Sequence, residues 1–500
     1  MNQKFRRWYW GAILGFLSLA YGVWRANVLL ISPKLEIGPE TTYVTGPFTA
    51  DGRIDYSAAM HERLSDGVHP DANAAVLIDR AFGPGAIPAE LRGRYFDWMG
   101  VDPLPEQGNY VITQTEWIRQ QTSHLPNSGE LRDAMDNEFQ QAQRRPWTAD
   151  EFPVVNEWLQ RNAGAIELIE QSSHKPVYYS PLVTSTSLLE ASSTNQNLRE
   201  AARLLLGAAM FRLGQNNVEE AWNAILACHR LASLVGHHAP DMMTYFIASA
   251  MEAVASAGDA ALMSSNLTAE QARKCLKELS QIEPIGSVAL TMEFGQRLQS
   301  LDAVLHQMSQ VGKVDLNVLL RRVNQMFDQS VATFGHESFA VRRQEVTRVD
   351  TELDQRIALN KQPLRIAGSM LFNSRAAISD IIADALLRIL TPACTEADAS
   401  QVRAQTRRDL SRLGYALVAY RAVHTKYPAT LNALAPDYLS TLPVDRFVNQ
   451  PLIYVPQEHG FLIYSIGANG KDDGGKSGGP GSPDDVSLEV PTKIGVGRTD

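Results

Sequence analysis

The residues best suited to chemistry lie near the C-terminus, in an acidic, glycine-rich segment from Gly467 to Asp485. It holds seven glycines together with Asp472, Asp473, Asp484 and Asp485. A hard divalent cation takes six to eight oxygen ligands, and glycines let a loop turn carbonyls and carboxylates inward without steric penalty. Ser465 and Asn469 add further oxygens. The set Ser465, Asn469, Asp472, Asp473, Asp484 and Asp485 is therefore a candidate calcium site, against the simpler reading of a solvated acidic loop.

The same segment contains a formal nucleotide motif. Gly470-Lys-Asp-Asp-Gly-Gly475-Lys476-Ser477 satisfies GxxxxGK[ST], but that pattern works only if a helix begins after Ser477 with its N-terminus toward the phosphates. The next eight residues are Gly-Gly-Pro-Gly-Ser-Pro-Asp-Asp, which cannot be helical, and Asp472 and Asp473 would face the nucleotide with like charge. No nucleotide is expected.

Elsewhere the chemistry-bearing residues are scattered. None of the 11 histidines lies in HExxH, and no GxSxG elbow or catalytic cysteine signature occurs. Cys228, Cys275 and Cys394 are too few and too widely spaced for a zinc knuckle or a disulfide framework. Cys228 and His229 fall on an apolar helical stripe and read as core residues. His237 and His238 belong to an interhelical loop, and His424 to a helix end whose negative terminus it favours. No catalytic residue is assigned.

The elements that must position the loop read as mainly helical. Helices are expected around 55–65, 71–82, 113–122 and 147–172, the last opening at Thr148-Ala-Asp-Glu151 as a capping box. Ala201–Val235 forms an amphipathic hairpin: Gly214 ends the first helix, Asn216 or Asn217 caps the second, and Val218, Ala221, Trp222, Ile225, Cys228, His229 and Ala232 mark one face. It resembles one tetratricopeptide unit, but the chain has no second copy, so it is one hairpin in a larger domain. Helical pattern continues through 241–282, 286–310, 314–360 and 364–391, broken at Pro240, Pro284 and Pro363. From Thr395 a further helix carries Leu410, Leu413, Leu417 and Tyr420 and stops at Tyr427-Pro428. Two β-rich runs, Pro451–Val455 and Phe461–Ser465, then flank a hairpin turn, and Val486–Val490 can return to the sheet.

The chain has 500 residues, 46 Lys+Arg and 55 Asp+Glu, for a formal charge of -9. That balance lacks the basic footprint of phosphate-backbone binding and excludes nucleic acid as an expected partner. The N-terminus points to a membrane. Lys4, Arg6 and Arg7 precede the uncharged stretch Trp8–Trp24, with Trp8, Tyr9, Trp10, Tyr21 and Trp24 at its two ends. Seventeen residues at about 1.5 Å each span about 26 Å, and the basic flank places the short tail in the cytoplasm. A signal peptide cut after Ser18-Leu19-Ala20 is the competing reading. The expected layout is a cytoplasmic tail over 1–7, a single-pass anchor in the inner (cytoplasmic) membrane over 8–31 and an extended stalk over 32–54. Beyond the stalk come an extracytoplasmic helical domain over 55–394, an α+β module with antiparallel strands over 395–491 and a tail over 492–500.

The C-terminal residues also carry a resemblance. Tyr427-Pro428, Leu431, Leu434, Tyr438-Leu439, Leu442-Pro443, Asp445, Pro451-Leu452, Tyr454, Tyr464-Ser465, Gly467 and Asn469-Gly470 resemble the head of the major pseudopilins of type II secretion. They are closer still to pseudopilin-like tails of uncharacterised membrane-anchored planctomycete proteins. Arg446 departs from the pattern, where proline usually succeeds the aspartate. Tyr43-Val-Thr-Gly-Pro47, Asp51-Gly52, Ile54-Asp-Tyr56, Asn73-Ala-Ala75 and Gly83-Pro84 resemble the same anchored proteins. The likeness implies calcium in the glycine-rich loop, with Ser465, Asn469, Asp484 and Asp485 on the matching positions and Asp472 and Asp473 as added candidates. A pilin subunit itself is not implied, since Arg403, Arg407, Arg408, Asp409 and Arg412 keep the head-proximal helix out of hydrocarbon. Gly15-Phe16 resembles a prepilin processing site, yet Ala20 stands where such proteins keep a glutamate.

The expected protein is thus non-enzymatic: a single-pass membrane protein projecting a helical domain and a calcium-stabilised head for envelope organisation or protein interaction. Its partners would be envelope or secretion-system proteins. The alternatives are an extracytoplasmic hydrolase with its site in a cleft of the helical domain, and an accessory to type II secretion.

Overall fold

The structure, a computed structural model, describes residues 33–123, 128–191, 194–309, 314–360, 374–478 and 483–490, with 18, 22 and 362. The expected tail 1–7, nearly all of the anchor 8–31, the tail 492–500 and the break at Pro363 lie outside these residues. The fold is mainly helical, with a small antiparallel sheet at the C-terminal end.

The helices run in order: α1 Tyr56–Leu64, α2 Ala74–Phe82, α3 Arg92–Met99, α4 Gln114–Thr122, α5 Ser128–Ala142, α6 Pro153–Arg161, α7 Ala163–Ser172, α8 Asn195–Gly214 and α9 Val218–His237. Then come α10 Met242–Met263, α11 Ala269–Ser280, α12 Val288–Thr291, α13 Arg297–Met308, α14 Leu316–Phe334, α15 Phe339–Asn360 and α16 Ser374–His424. A π-turn, Met292–Gln296, joins α12 to α13. Several expectations differ. The helix expected over 147–172 is two, because the chain is interrupted at Asn162, whose side chain is taken up by the amide of Ile112 and the carbonyls of Ile112 and Trp158. Thr148 and Glu151 do pair, with the Thr148 amide donating to Glu151 at 2.9 Å, but the helix begins only at Pro153. Helices α3 and α5 have no counterpart in the sequence reading, and the stretches expected over 241–282 and 314–360 are each two helices, parted at 264–268 and 335–338.

The hairpin α8–α9 forms as expected, with the Asn217 side chain accepting the Glu220 amide. Against it lies α10, which among the described residues is the one helix long and apolar enough to cross a bilayer. Its placement gives a different reason for that composition. It packs on α8, α9 and α16, and its Glu252 and Asp259 are fully buried. Their partners come from the flanking helices. The imidazole of His229 lies 3.1 Å from Glu252 and 2.9 Å from Asp259, Arg408 holds Glu252 through Nε at 2.6 Å, and the Tyr415 hydroxyl donates to Asp259 at 2.7 Å. A helix buried over most of its length is largely apolar, and its few charges are paired. His229 is therefore a satisfied core residue, as its place on the stripe predicts. Cys228, Cys275 and Cys394 are buried free thiols, and burial pushes the Cys394 pKa up to about 12.

Helix α16 is continuous for 51 residues, about 77 Å at 1.5 Å per residue. The division expected at 394/395 falls inside it. One apolar core extends from Ile54 to Val490, so the C-terminal strands share it with the helices. Strands β1 Val444–Asp445 and β2 Gln450–Pro451 form a two-stranded ladder. Strands β3 Ile453–Pro456, β4 Phe461–Ser465 and β5 Val486–Val490 form an antiparallel sheet, with Ser465 opposite Val486. The hairpin and the returning strand match the sequence reading.

Residues 33–54 do not project as an extended stalk. Asn317 of α14 donates to the Lys34 carbonyl at 3.0 Å and accepts the Glu36 amide, while Asn324 donates to the carbonyls of Glu40 and Thr41. Arg321 pairs with Glu36, and Thr41 and Thr42 are buried. An irregular segment must satisfy its backbone groups, and here α14 does so with two asparagines. Asn324→Ala strands two carbonyls and is expected to cost about 1–3 kcal/mol. Limited proteolysis should then cut within 33–54 faster than in the wild type, at unchanged helical content.

Candidate functional site

The acidic loop lies between the end of β4 and the start of β5, so the sheet fixes both of its ends. Gly467 turns the chain with φ +68, and a Cβ there would lie 2.3 Å from the Asp484 carbonyl oxygen and 2.6 Å from its Oδ1. Only glycine allows that approach in the left-handed region. Across the loop, an isolated bridge pairs Ser477 with Asp484, and the Asp485 amide donates to the Lys476 carbonyl.

Three of the six expected residues converge. Carboxylate oxygens of Asp473, Asp484 and Asp485 lie within 4.8 Å of one another. Asp485 Oδ2 accepts the amides of Asp473 at 3.1 Å and Gly475 at 2.8 Å, and Asp484 Oδ2 accepts the Asn469 amide at 3.1 Å. The remaining oxygen of each, Oδ1 of Asp484 and Oδ1 of Asp485, is buried with no hydrogen-bond partner among the described residues. Burial pushes the Asp485 carboxyl up, the two amides pull it down, and the neighbouring charges of Asp473 and Asp472 push it up again. Buried carboxylate oxygens without donors are costly, and a hard cation is the partner such a donor set accepts.

The other three are held differently. Asn469 stays close: its Nδ2 donates to Asp473 at 3.2 Å and its Oδ1 accepts the Lys471 amide at 2.6 Å. Asp472 turns to the sheet, where it accepts the Tyr464 hydroxyl at 3.0 Å and the Gly474 amide at 2.9 Å. Ser465 donates to Asp445 at 2.9 Å and accepts the Gly467 amide at 3.2 Å. Asp445 is the organiser of this corner, its carboxylate also accepting the amides of Phe447 and Ile466. It enters the sequence reading only through the pseudopilin likeness, since a lone aspartate in a loop carries no local signal. The P-loop pattern is used for none of this. Ser477 is bridged to Asp484, and among the described residues no helix comes after it.

No protein-family model matches the chain, and no curated protein and no solved structure shows significant similarity to it.

Proposed function

We propose that the chain is a membrane-anchored, extracytoplasmic, non-enzymatic protein whose C-terminal head is locked by calcium and serves envelope organisation or protein interaction. The observation that carries the calcium reading is the pair of buried, unpartnered oxygens on Asp484 and Asp485 beside Asp473. The three carboxylates supply the charge, a turn of the Asn469 amide, whose nitrogen faces Asp473, would add a neutral oxygen, and the turn at Gly467 keeps the carboxylates within reach. Bound calcium would tie the β4 end to the β5 start and so fix the last strand against α16. The anchor rests on Trp8–Trp24 with its basic flank and aromatic ends. The pseudopilin-like order of helix, hairpin, acidic loop and returning strand favours a head that recognises proteins.

Thermal melting of the intact protein in calcium and in chelator tests the site. At calcium 100-fold above its Kd the expected gain is about 2.7 kcal/mol, read as a rise in Tm. Asp484→Asn and Asp485→Asn should abolish the rise. In chelator the same substitutions should leave Tm level or raise it, because they relieve repulsion between carboxylates. A wild-type Tm indifferent to calcium would remove the site. Crosslinking and pulldown from membranes test the interaction role, and recovery of no specific protein would count against it.

A further inference from the structure

A second site lies far from the loop in sequence. Asp79, on α2, occupies the apolar face that also carries Ala75, Ile78 and Phe82, and it is only 3% exposed. Its Oδ2 accepts the Tyr95 hydroxyl at 2.9 Å. Behind Tyr95 a chain of hydroxyls continues through Ser180 at 3.0 Å and Thr194 at 3.2 Å. Among the described residues no lysine, arginine or histidine pairs with Asp79, and its Oδ1 makes no hydrogen bond. A buried carboxylate without a counter-ion is costly and rare. Burial accordingly pushes the Asp79 carboxyl up to about 7.

Asp79 also borders open space. It lines a cleft of about 600 Å³ together with Asp97, Asp102 and Arg80, so the lining carries three acidic residues and one basic one. Val76, Phe96 and Leu104 supply apolar wall. That size suits a small organic ligand, and the charge excludes an anion. A bare metal ion fits less well: among the described residues it is Asp473, Asp484 and Asp485 that draw three acidic ligand atoms within 4.8 Å, and the carboxyls of this cleft do not.

We propose that this cleft binds an organic ammonium group, with Asp79 as its buried counter-ion, Asp97 and Asp102 at the mouth, and the alkyl stem along Val76 and Leu104. An ammonium has three donors and no acceptor, so it can satisfy Asp79 Oδ1 and still reach a mouth carboxylate. The same chemistry is presented by a free alkylamine and by a lysyl side chain.

Calorimetry on the full chain decides, with n-butylammonium, the isosteric n-butanol, butyrate and Nα-acetyl-lysine amide as probes. Butylammonium should bind roughly tenfold or more tighter than butanol, and butyrate should not bind. Tighter binding of the lysine amide than of butylammonium assigns the cleft to a lysyl side chain, and the reverse order to a free amine. Asp79→Asn should remove the preference for ammonium over butanol. Because that variant places an amide in the core, Asp102→Asn, at an exposed position, provides a second reading: weaker ammonium binding at unchanged Tm. Equal binding of butylammonium and butanol, binding of neither, or full ammonium affinity in both variants would overturn the proposal.

Discussion

Arg408→Met is expected to lower the unfolding free energy by about 3–5 kcal/mol, because it leaves Glu252 charged, buried and half-partnered. Arg408 and Glu252 side chains are 5% and 2% exposed, and the guanidinium meets both carboxylate oxygens, through Nε at 2.6 Å and Nη2 at 2.5 Å. The cluster is balanced as it stands: Arg408 and protonated His229 against Glu252 and Asp259. A neutral imidazole has one N–H, yet both ring nitrogens of His229 face a carboxylate. One of those contacts would be repulsive without the second proton. Burial alone would lower the His229 pKa, but Glu252 and Asp259 outweigh it and raise the value to about 9. Burial would likewise raise Glu252, and Arg408 with His229 hold it at about 2.

These shifts set the direction of the pH dependence. Because the folded chain keeps the His229 proton above its ordinary value of 6.5, this contribution is complete below 6.5 and is lost as pH rises toward about 9. The Glu252 contribution is complete above 4.5 and is lost as pH falls toward about 2. Urea unfolding at pH 6, 7.5 and 9 should show falling stability, and His229→Gln should flatten that slope. The double variant Arg408→Met with Glu252→Met removes one charge of each sign and should cost less than Arg408→Met alone, which a double-mutant cycle reads as coupling. A single variant as stable as the wild type would show that the pair is not held as described.

This network also marks the limit of what the chain discloses in one dimension. Helical period and caps are local, and so α1, α4 and the α8–α9 hairpin with its Asn217 cap are legible from spacing alone. The β4 and β5 runs are legible for the same reason. The partners of His229 lie 23, 30 and 179 residues away, and nothing in the stripe that contains it names them. The acidic loop divides along the same line. Asp473, Asp484 and Asp485 are legible as a cluster because glycines surround them, whereas Ser465 and Asp472 are claimed by Asp445 and Tyr464, neighbours supplied by the sheet. Asp79 has one available signal, an acid on an apolar helical face, and it is weak because most such residues find a cation. The expected break near 391–395 rests on composition, while the helix there is held by packing against α14 and α15 on one side and α10 and α11 on the other.

Gly214→Ala separates two readings of one residue by the sign of its effect. Read as a helix stop, Gly214 would need a backbone conformation that alanine resists, or would be a weak helix former whose replacement adds up to about 1 kcal/mol. The left-handed residue at this turn is Asn216, with φ 58, and Gly214 is itself helical. What Gly214 provides is space. A Cβ there would lie 1.8 Å from the carbonyl oxygen of Trp147 and 2.9 Å from its amide nitrogen, backbone atoms that no rotamer change can move. Trp147 is fully buried, with its ring against Phe211 at 4.8 Å and Phe152 at 5.7 Å. To admit a methyl group, α8 must withdraw from the segment entering α6, so the expected loss is about 3 kcal/mol or more. Gly164→Ala, exposed near the start of α7 with no atom within 4 Å of the added carbon, is the control and should raise stability by up to about 1 kcal/mol. Tm values that move in opposite directions for the two substitutions establish close approach as the reason for Gly214, and a stabilised Gly214→Ala would show that the space beside Trp147 is not needed.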